Sequence, residues 1–207
     1  MKFIPDSPSI AELFFSYVQN NPEHVFARFD GNELTASELH DLVQDTSRHL
    51  RGLGIGSGDR VAYMLDNSLD LIVLVFSLMI IGSIQIPINT GLRNDSLKFI
   101  VSHCKSKLML AEDSYQSILA PLVNEQLATG IIYRHSEYSF QWQNTKDSQS
   151  TVLVEDRALG TDDVQFILYT SGTTGEPKGV LVTDRMLRAA ADACAQTSSA
   201  SANDRFL

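Results

Sequence analysis

From Gly52 onward the apolar residues of this chain fall into two alternating kinds of segment. Short runs, Val61 to Leu65, Ile84 to Ile88 and Lys107 to Ala111, are separated by longer stretches: Leu69 to Ile81, nearly all apolar and read as a buried helix, then Leu97, Ile100, Val101 and Cys104 at helical spacing. Short, near-continuous apolar runs read as strands covered on both faces. Strand, helix, strand, helix in that order predicts a parallel sheet with right-handed crossovers and helices on its faces. Gly54 to Asp59 supplies the turn into the first of these strands, and the second ends near Pro87, which has no N–H to give to a ladder. Ile118 to Val123 reads as a further helix and Ile131 to Tyr133 as a further strand. From Arg134 to Ser150 periodicity is lost among Ser, Gln, Asn and charged residues, which predicts a solvent-facing excursion rather than a domain boundary.

Before the sheet, Ser9 and Glu12 form a capping-box pattern that opens a helix to Asn20, with Ile10, Leu13, Phe14, Tyr17 and Val18 on one face. Val25 to Phe29 alternates as a short strand and Asp30-Gly31 turns it. Thr35 with Glu38 then opens a helix expected to bury Leu39, Leu42, Val43, Thr46, Leu50 and Leu53. His40 and His49 fall off that stripe and read as solvated, since no Cys or carboxylate stands near them at ligand spacing. Late in the chain, Val164 to Leu168 reads as a buried strand and Val180 to Val182 as a brief apolar segment. Thr183 or Asp184 then caps a helix expected to bury Leu187, Ala190, Ala191 and Cys194.

Between those last two apolar segments lies Tyr169-Thr-Ser-Gly-Thr-Thr-Gly-Glu-Pro-Lys-Gly179. Thr170, Ser171, Thr173 and Thr174 bring hydroxyls, while Gly172, Gly175 and Gly179 let backbone N–H groups approach an oxyanion with no Cβ in the way. Lys178 adds a point charge, and Pro177 fixes φ just ahead of it. A hydroxyl-rich, glycine-rich loop after a buried strand has the chemistry of a phosphate cradle. It is not the Walker loop, in which Gly-Lys is followed by Ser or Thr, because Lys178 stands between Pro177 and Gly179. Nor do Gly52, Gly54, Gly56 and Gly58 give the G-x-G-x-x-G spacing of a dinucleotide fingerprint.

Composition narrows the classes further. A chain of 207 residues, 43% hydrophobic, can bury a substantial core. Its formal net charge of -9, with no basic cluster, argues against a nucleic-acid partner. Cys104 and Cys194 are too far apart in sequence, and too much on apolar helical faces, to suggest a disulfide framework or metal site; a reducing cytoplasm fits them. Cys104 reads as core rather than nucleophile, and His103 beside it has no Asp or Asn at a recognisable offset. The N-terminus, Met1-Lys2-Phe3-Ile4-Pro5-Asp6, lacks the apolar core of a signal peptide. Leu71 to Ile81 is uncharged, but it falls well short of the about 20 residues a spanning helix needs, so no transmembrane segment is expected.

Residue for residue, the stretch from Tyr169 to Gly179 resembles the ATP-phosphate loop of the adenylate-forming superfamily, which holds acyl-CoA synthetases, luciferases and peptide-synthetase adenylation domains. The opening helix, the turn Leu53-Gly-Ile-Gly-Ser-Gly-Asp-Arg-Val-Ala62 and the segment Pro87-Ile-Asn-Thr90 look like successive landmarks of the same enzymes. Pro87-Ile88-Asn89 is more like an acyl-CoA or aryl-CoA ligase than an amino-acid-activating module, where Pro-Leu-Asp-Pro is usual. Together with Leu65-Asp66-Asn67-Ser68, this wording is similar to the crotonobetaine/carnitine-CoA ligase type.

The resemblance implies an α/β fold of parallel-sheet layers flanked by helices, with residues 1–207 forming an incomplete N-terminal portion of the large AMP-binding domain. The small C-terminal domain, with the lysine that drives adenylation, would lie beyond Leu207, so this chain alone is expected to be inactive. The implied reaction joins a small carboxylic acid to a thiol, usually coenzyme A, through an acyl adenylate made from ATP with Mg²⁺. Thr170, Ser171, Gly172, Thr173, Thr174, Gly175 and Lys178 would hold the β- and γ-phosphates, with Thr174 and Lys178 in the catalytic role. Where the family often has Thr-His, near the acyl site, this chain has Thr183-Asp184. Two other readings remain at this point: a peptide-synthetase adenylation domain, and a non-catalytic α/β binding protein. An incomplete sheet would also expose apolar surface and favour homo-oligomers.

Overall fold

The computed structural model describes residues 8–124, 131–134, 160–170, 176–199 and 204. Its first helix, α1 (Ile10–Asn20), starts at Ser9, whose side chain accepts the Glu12 N–H while the Glu12 carboxylate takes the Ser9 N–H. Strands β1 (Val25–Phe29) and β2 (Asn32–Thr35) form an antiparallel hairpin turned at Asp30-Gly31. Helix α2 (Ala36–Gly52) repeats the reciprocal cap with Thr35 and Glu38. The reciprocal bonds satisfy N–H groups that a helix start otherwise leaves open.

The sheet follows: β3 (Arg60–Met64), α3 (Leu69–Ile81), β4 (Ile84–Pro87), α4 (Asn94–Cys104), β5 (Leu108–Glu112), α5 (Gln116–Asn124) and β6 (Ile131–Arg134). Last come β7 (Val164–Thr170), β8 (Lys178–Thr183) and α6 (Asp184–Ser198). The strands lie in the order β6-β5-β3-β4-β7-β8, all parallel except β8, which runs antiparallel to β7. Ala62 stands opposite Ile86 on one side and Met109 on the other, so β3 is fully interior.

Successive residues of β3 and β5 enter different cores, as the two-residue period of a strand requires. Val61, Tyr63, Leu108 and Leu110 pack with Leu74 and Leu78 of α3 on one face, while Ala62, Met64, Met109 and Ala111 pack with Leu97, Ile100, Val101 and Cys104 of α4 on the other. A third cluster, Phe14, Leu39, Val43 and Val73, lies outside α3, where α1 and α2 cover it. Helix α3 is thus apolar all round because it is covered from two sides. It ends at Gly82, whose left-handed φ of 76° closes the helix without a Cβ penalty.

Several side chains depart from the sequence expectation. Leu13 and Leu42 are exposed at 47% and 41%, and the small Ser47 is buried in place of Leu42. Its hydroxyl donates to the Ser77 carbonyl, while the Ser77 hydroxyl donates to the Val73 carbonyl at 2.7 Å and lies 3.2 Å from that of Val43, where α2 lies close over α3. His40 and His49 are both half-buried rather than solvated, and burial lowers the His49 pKa. Strand β8 is six residues long, more than a brief apolar segment, because the ladder to β7 recruits Lys178 and Gly179. Of the four α6 residues expected to be buried, only Leu187 is half-buried; Ala190, Ala191 and Cys194 are exposed, since no described layer covers that face. The excursion expected from Arg134 to Ser150 begins at the last residue of β6, and its remainder lies outside the described residues.

Candidate functional site

Strand β7 is parallel to β4, so its C-terminal end, Thr170, stands at the same edge of the sheet as the ends of β3, β4 and β5. In open α/β sheets that edge is where ligands bind. The antiparallel return brings Lys178 directly opposite Thr170, and Gly179 opposite Tyr169. The first and last members of the expected phosphate-binding set are therefore cross-strand partners, both exposed. Ser171, Gly172, Thr173, Thr174 and Gly175, which join them, lie outside the described residues.

Gly179 is required by its neighbours. A Cβ there would stand 3.0 Å from Ile167 Cγ2 and 3.5 Å from Tyr169 Cζ. The Tyr169 ring thus lies over bare backbone at the residue after Lys178. Its hydroxyl shares a 2.7 Å hydrogen bond with Nδ1 of His103, at the C-terminal end of α4. The His103 ring stacks on Phe99, with centroids 5.1 Å apart and planes 12° from parallel, and burial raises the Tyr169 pKa. Sequence reasoning missed this triad because it weighed His103 only against Cys104, which is a core thiol donating to the Val101 carbonyl.

The segments after β3, β4 and β5 meet at the same edge. Tyr115 Oη donates to both oxygens of Asp66, at 2.7 and 2.8 Å, and the Asp66 N–H donates to the buried Glu112 carboxylate at 3.2 Å. Burial first, and then the Asp66 bond, raises the Tyr115 pKa. Asn89 accepts the Gly91 N–H at 2.8 Å, which shapes the turn after β4. The segments 65–68 and 87–90 are thus brought together, whereas the turn before β3 lies at the opposite edge of the sheet.

Asp184 sits at that opposite edge too. Thr183 pairs with Val164, at the other end of β8 from Lys178, roughly 17 Å away at strand rise. Its carboxylate is 3% exposed and accepts the Ile10 N–H at 2.9 Å, which ties the start of α1 to the start of α6. The position where the resemblance led to an expected histidine is structural in this chain and far from the Thr170–Lys178 end. Around it, the Arg185 N–H donates to the Thr161 carbonyl and its guanidinium pairs with Asp162 at 2.6 Å.

A family model for AMP-binding enzymes matches residues 14–207. The chain belongs to the AMP-binding enzyme family. Among curated relatives of this AMP-binding chain, the long-chain-fatty-acid–CoA ligase FadD13 of Mycobacterium tuberculosis is 31% identical over 176 residues, 84% of this chain and 34% of the ligase. Gramicidin S synthase 2 of Brevibacillus brevis is 30% identical over 186 residues, 86% of this chain and 4% of the synthase. Crotonobetaine/carnitine–CoA ligase of Proteus sp. is 28% identical over 166 residues, 76% of this chain and 32% of that ligase. A solved structure from Rhodopseudomonas palustris CGA009, described provisionally as a long-chain-fatty-acid CoA ligase, superposes with a TM-score of 0.80 at 22% identity. It matches over 95% of this chain and 50% of its own. The chain thus spans about a third of the curated ligases and a small part of the synthase. The AMP-binding family includes both acyl-CoA ligases and peptide synthetases among these relatives, so the crotonobetaine-like wording singles out neither.

Proposed function

We propose that this AMP-binding chain is the N-terminal portion of the large domain of an ATP-dependent acid–thiol ligase that works through an acyl adenylate. The observation that carries the reading is the β7–β8 stem, which sets a hydroxyl, Thr170, against a cation, Lys178, at the ligand edge of a parallel sheet. In this reading Thr170, Ser171, Gly172, Thr173, Thr174 and Gly175 offer donors to the β- and γ-phosphates of ATP, and Lys178 offsets their charge. The acid's carboxylate then attacks the α-phosphate, pyrophosphate leaves, and a thiol such as coenzyme A displaces AMP. Two anions must approach each other in the first step, so charge at the phosphates has to be offset and the reactants held in line. The described residues hold no cluster of three or more His, Cys, Asp or Glu side chains fit for a metal ion. A magnesium ion in this reading comes bound to the nucleotide and offsets part of its charge.

Because the curated ligases are about three times as long as the matched stretch, we infer that residues 1–207 alone do not complete the reaction. ATP–pyrophosphate exchange by the full-length protein, across a panel of carboxylic acids, tests the reading. Acid-dependent exchange by the full chain and none by residues 1–207 is expected; robust exchange by residues 1–207 alone would overturn the division of labour. The match to gramicidin S synthase 2 supports a second reading, an adenylation domain of a peptide synthetase. Exchange with amino acids and a carrier domain downstream would favour it. Among the described residues no helix is long and apolar enough to cross a membrane.

A further inference from the structure

We infer that His103 is a positioning residue for Lys178, acting through Tyr169; this rests on the phosphate-binding reading above and adds a residue to it. Lys178 stands on β8, which among the described residues is the edge strand and pairs with β7 alone. Across that ladder Tyr169 faces Gly179, where the absence of a Cβ lets the ring lie on the backbone immediately after Lys178. The half-buried ring packs against the α4-side core, which holds its body but not its hydroxyl end. The 2.7 Å bond between Tyr169 Oη and His103 Nδ1 fixes that end. His103 is itself held by its stack on Phe99, and it belongs to α4, which is anchored in the core by Leu97, Ile100 and Val101. A continuous set of contacts therefore runs from the rigid layer under the sheet to the stem that carries Lys178. Tyr169 and His103 are 66 residues apart, so the bond is a tertiary clamp rather than a local turn.

The test uses the full-length protein, Mg·ATP as the probe in calorimetric titration, and urea unfolding of the same variants. His103→Phe keeps the ring stack and loses the bond; Tyr169→Phe loses the same bond from the other side. Each should weaken Mg·ATP binding about 3- to 10-fold, the scale of one hydrogen bond. The double variant should bind no more weakly than either single one, as expected for two residues acting through one bond. His103→Asn, which restores a polar atom near the Nδ1 position, should bind within about twofold of the parent. Lys178→Ala in the same titration separates the two levels. If it weakens binding while His103→Phe and Tyr169→Phe shift only the urea midpoint, the clamp is merely structural and the inference falls while the phosphate reading stands. If the two single effects add in the double variant, the residues act separately and the inference falls. If Lys178→Ala leaves binding unchanged, the phosphate reading falls and the inference with it.

Discussion

Gly179→Ala tests whether the stem geometry is as tight as the contacts imply. The new Cβ would meet Ile167 Cγ2 at 3.0 Å, against the ordinary carbon–carbon contact of about 3.5–4.0 Å. One of the two must move by roughly half an ångström or more. Ile167 is β-branched and stiff at χ1, and it packs against the α4 core, so the displacement is passed inward rather than absorbed. Overpacking of this kind costs about 1–3 kcal/mol. Against it stands a gain of about 0.4–1 kcal/mol, because alanine has fewer unfolded conformations than glycine. The Tyr169 ring, at 3.5 Å, is at normal contact distance and adds little. The net expectation is destabilisation of about 1 kcal/mol, read as a lower urea midpoint at unchanged slope. An alanine variant as stable as the parent, or more stable, would mean that Ile167 yields freely and that the stem is looser than these contacts imply.

Two further perturbations act away from the stem. Asp184→Ala removes the acceptor of the Ile10 N–H and should destabilise by about 1–2 kcal/mol, the charged-hydrogen-bond value reduced by relief of a buried carboxylate oxygen that has no partner among the described residues. Its Mg·ATP affinity should be unchanged, and an affinity loss would place position 184 nearer the nucleotide than the fold does. Glu12 and Glu38 both have lowered pKa values, chiefly through the backbone N–H bonds of their capping boxes. A carboxylate with a lowered folded pKa contributes stability that is present above its unfolded pKa and lost as pH falls through the folded value. Replacing both with Gln should therefore flatten the decline of the urea midpoint across and below the ordinary carboxylate range; an unaltered acid profile would rule that contribution out.

What could be read from the sequence was local or periodic. Leu69–Ile81 is a helix at its expected bounds because thirteen residues exceed an ordinary buried strand, and Ser68 and Gly82 cap the two ends. Both capping boxes were legible because they involve residues three apart. The parallel strands were legible from their apolar runs, but their order was not, since nothing in a strand names its neighbour. Leu13 and Leu42 show the limit of helical-face counting, which fixes the direction of a stripe but not how much of it another layer covers. Strand β8 was underestimated because Val180 and Leu181 are exposed at 45% and 56%, and it is a strand through pairing with β7 rather than through burial. The loop motif was plain from residue order, and the structure adds the pairing of its ends. The His103–Tyr169 bond had no sequence signal, because its partners meet only once α4 and β7 share a core.

In the proposed function, Lys178 is the cation that meets the phosphates of ATP. Mg·ATP titration and acid-dependent pyrophosphate exchange, measured on Lys178→Ala in the full-length protein, probe it most directly. Loss of about 1–3 kcal/mol, roughly 5- to 150-fold in affinity or in kcat/KM for ATP, is the predicted result. Binding and exchange equal to those of the parent would contradict it.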